Sequence, residues 1–148
     1  MSRRVLRGFD PEALKAAREE RKITVQDLAR CAGVTYTTVW TWENGKHAPN
    51  IDTLVKVAAY LEIPVAQLVS IPEGTETLGD LRVLAGLTQP QLAKAAGITT
   101  TVLSKLERGE TPIADTRAKA LAPHLGVSAN EVAAAWQRAR DRPPGAPA

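Results

Sequence analysis

The chain has 148 residues, of which 44% are hydrophobic and 24% charged, and a formal net charge of +3. That length suits one ordinary domain or two small ones, and no apolar run approaches the ~18 residues a membrane span needs. The single cysteine, Cys31, excludes an intrachain disulfide and a cysteine-based zinc site.

The opening "MSRRVLRGFD" lacks the apolar core of a secretory signal, so the expected location is the cytoplasm. Residues 1–70 carry 10 basic and 8 acidic side chains, and residues 71–148 carry 9 and 8. Such mild basicity is compatible with nucleic-acid binding but does not argue for it.

In chain order, Asp10 has the character of an N-cap with Pro11 at the first helical position, and Phe9 and Leu14 suit a hydrophobic staple. The first helix is expected to run to about Lys22. Thr24-x-x-Asp27 reads as a capping box opening a second helix, which Gly33 stops as a left-handed C′ residue. Thr35 caps a third helix, and Asn50 begins a fourth with Leu54, Val57, Ala58 and Leu61 on one face.

The same grammar then returns. Residues 14–69 laid over 78–133 without a gap give thirteen identities, among them Arg18/Arg82, Leu28/Leu92, Gly33/Gly97, Thr35/Thr99, Glu43/Glu107 and Gly45/Gly109. Thr88-x-x-Gln91 repeats the capping box, and Ser128-x-x-Glu131 opens a last helix carrying Val132 and Trp136. A period of 64 is too long for a solenoid unit and suits a minimal domain. The reading is all-α, with two domains of about five short helices each: 1–70 (with a basic arm over 1–9) and 78–140. Pro72 and Gly74 mark a linker over 71–77, and a disordered tail is expected over 141–148. The stretch Ser70–Thr77 spans at most ~26 Å when extended, which makes the domains neighbours.

A helix, a tight glycine turn and a second helix make a helix-turn-helix. The spacing Thr-x3-Leu-Ala-x3-Gly-[Val/Ile]-Thr-x3-[Val/Leu]-x2-[Trp/Leu]-Glu-x-Gly occurs twice. Small Ala29 and Ala93 allow close helix crossing, Val34 and Ile98 plug the turn, and Leu28, Val39 and Trp42, like Leu92, Leu103 and Leu106, point inward. The chain resembles, over most of residues 10–136, the helix-turn-helix family of phage lambda repressor and Cro, also called the xenobiotic-response-element type.

That resemblance implies a sequence-specific double-stranded DNA-binding transcriptional regulator of repressor type, acting as a covalent pseudo-dimer whose two recognition helices enter successive major grooves. It implies structural ion pairs Arg18–Glu43 and Arg82–Glu107. It implies base contacts from Tyr36, Thr37 and Thr41 in one copy and from Thr100, Thr101 and Lys105 in the other. Threonine methyls meet thymine methyls, hydroxyls bond either base, and lysine reaches guanine acceptors. Phosphate contacts fall to Gln26, Asn44, Lys46, Gln89 and Arg108. Val25 stands where the family often has the glutamine seen at Gln89, with Gln26 as a substitute. Arg3, Arg4 and Arg7 read either as an arm along DNA or as a solvated end.

Trp40, one turn after Tyr36, has three readings: a DNA contact, an apolar patch for a partner or second subunit, or a side chain tucked against the loop near His47. The last helix, with Trp136, is a candidate dimer surface. Cys31 is expected to be half-buried. His47 and His124 have no ligand-spaced companion, so no metal or cofactor is expected. No catalytic constellation is visible, which argues against an enzyme. The alternative function is a protein-interaction adaptor or antitoxin-type module in which only the second domain binds DNA.

Overall fold

The structure, a computed structural model, describes residues 6–145. Those residues are all-helical, and the chain divides between Ser70 and Ile71 into two compact units. Arg3, Arg4 and residues 146–148 lie outside the described residues.

The first unit contains α1 (Pro11–Glu20), α2 (Val25–Ala32), α3 (Tyr36–Glu43) and α4 (Ile51–Leu61). Each starts on a side-chain cap: Asp10, Thr24, Thr35 and Asn50 accept from the backbone N–H three residues on. These bonds satisfy amide groups that the first turn leaves without partners. α1 ends at Glu20, two residues short of the expected Lys22, which takes a left-handed φ of 57°. Leu14, Leu28, Val39, Leu54 and Leu61 are completely buried and form the core with Ala29, Trp42 and Val57. No helix α1–α4 exceeds 11 residues. Helices that short are marginal alone, so this core holds them.

The fifth helix expected here is a single 3-10 turn, Val65–Gln67. Pro64 precedes it and offers no side-chain cap. Leu68 and Val69 are buried, and the chain then pairs with the start of the unit: Phe9 and Val69 form an antiparallel bridge, with Asp10 N donating to Leu68 O (2.9 Å) and Ser70 N to Gly8 O (2.7 Å). The inner end of the expected 1–9 arm is thus part of the unit.

The second unit contains α5 (Leu78–Leu84), α6 (Gln89–Ala96), α7 (Thr100–Glu107), α8 (Asp115–Leu125) and α9 (Ala129–Arg140). Its core joins Leu78, Leu92, Leu103, Leu106, Leu121 and Val132, with Trp136 packed against it. The expected linker 71–77 is attached to this unit. Thr77 and Asp80 form a reciprocal capping box, and Arg138 Nη1 donates to Glu76 O at 2.8 Å. At the expected tail, Asp141 closes α9, and Arg142 Nη1 donates to the carbonyls of Arg108 and Ala139.

Two left-handed glycines in this unit differ in surroundings. A Cβ on Gly97 (φ 71°) would meet nothing within 4 Å, whereas one on Gly109 (φ 70°) would lie 2.7 Å from the backbone N and Cα of Arg140. Gly97→Ala should therefore cost roughly 1–2 kcal/mol through backbone conformation alone. Gly109→Ala should cost a further ~1–3 kcal/mol through overpacking. Urea denaturation followed by helical circular dichroism checks the ranking; equal midpoints for the two variants would contradict the packing of α9 on that turn.

Candidate nucleic-acid interface

In each unit two short helices meet across a glycine turn. Gly33 (φ 70°) ends α2 and Gly97 ends α6, and Thr35 and Thr99 then cap α3 and α7. The inward stripe of α3 is Val39 and Trp42; that of α7 is Leu103, Leu106 and Glu107. The remaining face of each helix is turned to solvent.

On α3, Tyr36 (50% exposed), Thr37 and Trp40 (41%) are open. Thr41 is half-buried, and its Oγ1 donates to Thr38 O at 2.6 Å. Its hydroxyl proton is thus used within the helix, leaving the methyl and an acceptor oxygen. Thr37 and Thr41 line an open groove with Thr38, Lys46, His47 and Asn50. On α7, Thr100, Thr101 and Lys105 are all exposed.

The residues flanking these helices are arranged differently in the two units. Asn44 Nδ2 donates to Trp40 O at 2.8 Å, closing α3, and Lys46 Nζ lies 5.1 Å from the Trp40 ring centroid as a cation–π contact. Trp40 therefore carries Lys46 against its ring. Arg108 grips Glu110 with two bonds, Nε to Oε1 at 2.8 Å and Nη2 to Oε2 at 3.1 Å, and reaches Ser104 Oγ at 2.7 Å. That hydrogen bonding holds the Glu110 carboxyl below its usual range and raises the Arg108 guanidinium. Gln26 is exposed beside half-buried Val25. The counterpart of Val25 in the second unit, Gln89, turns inward and donates Nε2 to Glu107 Oε2 at 3.3 Å.

Arg18 in α1 meets Glu43 at the end of α3, with Nη2–Oε1 at 2.8 Å and Nε within 3.1 Å of both oxygens, while its Nη1 donates to Ile23 O at 2.9 Å. Arg82 repeats this on Glu107 and Leu87 O, with Nε–Oε2 at 3.0 Å and Nη1–O at 2.9 Å. The second pair is deeper: Glu107 is 1% exposed. Gly79 gives it room, since a Cβ there would lie 3.0 Å from Glu107 Oε1. The position 64 residues earlier is Lys15, so this accommodation belongs to the second unit alone. Neither Gly79 nor the inward turn of Gln89 is marked by any spacing in the sequence.

Two expectations need correction. Cys31 is exposed, because Leu28, Ala29 and Ala32 complete the inward stripe of α2. Its neighbour on α4 is Tyr60, whose phenol is raised, first by hydrogen bonding with Cys31. Thr24 also makes only half of the expected box: it accepts from Asp27 N, but the Asp27 carboxylate faces Arg30 at 3.5 Å. The full reciprocal box forms at Thr88 and Gln91. At Ser128 too only half of the expected box is made, the hydroxyl accepting from Glu131 N. Trp136 Nε1 donates to Thr111 O at 2.9 Å, which ties α9 to the loop after α7.

Comparison with known proteins bears on this geometry. A helix-turn-helix family profile matches residues 14–68 and again 78–132. The HTH-type transcriptional repressor RghR of Bacillus subtilis is 46% identical over 54 residues, covering 36% of this chain and 40% of its own. The cryptic phage CTXphi transcriptional repressor RstR of Vibrio cholerae is 27% identical over 81 residues, covering 53% of this chain and 73% of its own. A protein of Methanococcus vannielii named as an HTH-type transcriptional regulatory protein is 30% identical over 66 residues, covering 45% of this chain. The chain spans only 20% of that archaeal relative's length.

Removing one partner of a buried ion pair leaves an uncompensated charge, which typically costs about 3–5 kcal/mol. Glu107→Ala should therefore destabilise the second unit by that amount, and Gln89→Ala by about 1 kcal/mol through one lost hydrogen bond. Denaturation of the full chain, monitored at Trp136 in the second unit and at Trp40 and Trp42 in the first, should show only the Trp136 transition move. A Glu107→Ala chain as stable as the parent would refute the assignment.

Proposed function

The chain belongs to the helix-turn-helix family of lambda repressor and Cro type, matched over both repeats, and on that premise we propose that it is a sequence-specific double-stranded DNA-binding repressor of transcription in which each unit reads its own half of the site. The observation that carries this reading is the two-sidedness of α3 and α7. One face fills a core, and the other presents Tyr36 and Thr37, or Thr100, Thr101 and Lys105, to solvent. In a docked helix-turn-helix the N-terminal part of the second helix meets base edges in the major groove.

The reading sets differ between units, so the bound sequence is asymmetric. Thr37 and Thr41 supply methyls for thymine, and Lys105 supplies a donor for guanine O6 and N7. Gln26, Asn44 and Lys46 contact backbone phosphate in the first unit, setting register rather than choice. In the second unit Gln89 and Arg108 take that role, after exchanging the partners they hold at Glu107 and at Glu110. Among the described residues no helix is long and apolar enough to cross a membrane. Action in the cytoplasm, at the nucleoid, belongs to the same proposal.

A second reading has its own support. Tyr36 and Trp40 give the outward face of α3 two exposed aromatic rings, which suit a protein partner or second subunit as well as a duplex. On that reading only the second unit touches DNA, and the chain is an adaptor or antitoxin-type module.

Selection of bound sequences from a random duplex pool separates the two. The tandem reading expects a two-part motif. Thr37→Ala should blur one part and Lys105→Ala the other, each by about 1–3 kcal/mol at the affected base pair. Loss with Lys105→Ala but not with Thr37→Ala establishes the adaptor reading. No enriched sequence for the parent chain overturns both.

A further inference from the structure

Three arginines gather at the C-terminal end of α7. Arg108 closes that helix, and the end of α9 brings Arg140 and Arg142 against it. Arg140 Nη1 donates to Gly109 O at 3.0 Å, Arg142 Nη1 donates to the carbonyls of Arg108 and Ala139, and the Arg140 guanidinium stands 5.7 Å from the Trp136 ring. The absence of a side chain at Gly109 permits this approach. Together Arg108, Arg140, Asp141 and Arg142 line a concave surface with Gly109 and Pro143.

Two carboxylates balance the cations there in part. Glu110 is taken by the Arg108 fork, and Asp141 Oδ1 accepts from Gln137 Nε2 at 2.8 Å. Lys105 stands one turn before Arg108, so among the described residues Lys105, Arg108, Arg140 and Arg142 gather on this edge near Glu110 and Asp141. Among the described residues the first unit has no such construction. Its chain turns once in a 3-10 helix where α9 would start, and Gly45, the counterpart of Gly109, faces the Pro11 side chain at 3.9 Å. Arg108, for which the family resemblance implies a phosphate contact, has its fork closed on Glu110. Arg140 and Arg142 bring two further guanidiniums to the same edge.

We propose that Arg140 and Arg142 form a phosphate-binding patch that extends the second unit's DNA surface past the helix-turn-helix, onto the sugar–phosphate backbone beside the groove that α7 reads. The patch rests on the DNA-binding reading above. Its ligand is the backbone phosphodiester of duplex DNA, on grounds of charge and of continuity with Lys105 and the end of α7. Arginine forks suit phosphate oxygens, and such contacts add affinity without base preference.

The test is the salt dependence of binding by the full chain, with its selected duplex and with a short duplex of unrelated sequence. Each phosphate contact contributes about 0.9 to the slope of log affinity against log salt. The double variant Arg140→Gln/Arg142→Gln should lose about 2 from that slope on both duplexes, while Arg140→Lys/Arg142→Lys keeps it. Asp141→Asn, which removes an opposing charge, should tighten binding to both. Should the glutamine variant fail to fold, the lysine and Asp141→Asn variants decide the matter, and unchanged affinity for Asp141→Asn overturns the patch. With a folded glutamine variant, an unchanged slope means the arginines only cap α7, and the patch is wrong while the DNA-binding reading stands. A parent chain that binds neither duplex overturns that reading and the patch with it.

Discussion

A guanidinium clamped on a carboxylate underlies each unit. Arg18 and Arg82 leave the first helix of their repeat and close on the last residue of the recognition helix, Glu43 or Glu107. The same guanidinium holds the carbonyl of Ile23 or Leu87, one residue before the cap of the next helix. Three chain segments are thereby registered around one planar group. A buried ion pair of this kind adds little net stability over an apolar replacement, but losing one partner is costly. Its effect is to admit one arrangement of helices. For helices of eight residues, marginal on their own, that constraint matters more than the energy.

Around this shared clamp the two units have diverged. In the second, Gln89 adds a hydrogen bond to the carboxylate and Gly79 makes room for it, so Glu107 is sealed more fully than Glu43. In the first, Val25 cannot donate, and Gln26 beside it remains in solvent. The end of the recognition helix differs as well. Asn44 and Lys46 fold back on Trp40 in one unit; Arg108 closes on Glu110 in the other, with α9 stacked behind it.

Much of this was legible in the sequence because its causes are local. A cap depends on one residue and an amide three positions on, so Asp10, Thr24, Thr35, Asn50 and Thr88 announced their helices. The buried stripes were legible because two copies agree on which positions stay apolar. What escaped depends on contacts across the fold. The Asp27 carboxylate has a choice between the Thr24 amide and Arg30, and spacing does not decide it. The sequence places Gln89 at a helix start, where it looks outward; only the nearness of Glu107 turns it in. An ungapped alignment paired Val65 with Ala129, yet Pro64 stands where Ser128 caps, so one copy makes a single turn and the other a 12-residue helix.

These differences bear on what each unit offers a duplex under the proposed reading. The Thr41 hydroxyl already donates within α3, and Lys46 lies on an indole ring, so the outward surface of the first unit is chiefly methyl groups and aromatic faces. Such a surface discriminates by shape and by contact with thymine methyls, and it gains from excluding water rather than from charge. The second unit offers hydroxyls, the Lys105 ammonium and the arginines behind it. Its grip is electrostatic and weakens as salt screens it. On the proposed reading the second half holds DNA chiefly through charge, while the first adds methyl and aromatic contacts to the phosphate contacts of Gln26, Asn44 and Lys46. The repeat keeps its core, its clamp and the outward Thr37/Thr101, and replaces Tyr36, Trp40 and Thr41 with Thr100, Ser104 and Lys105.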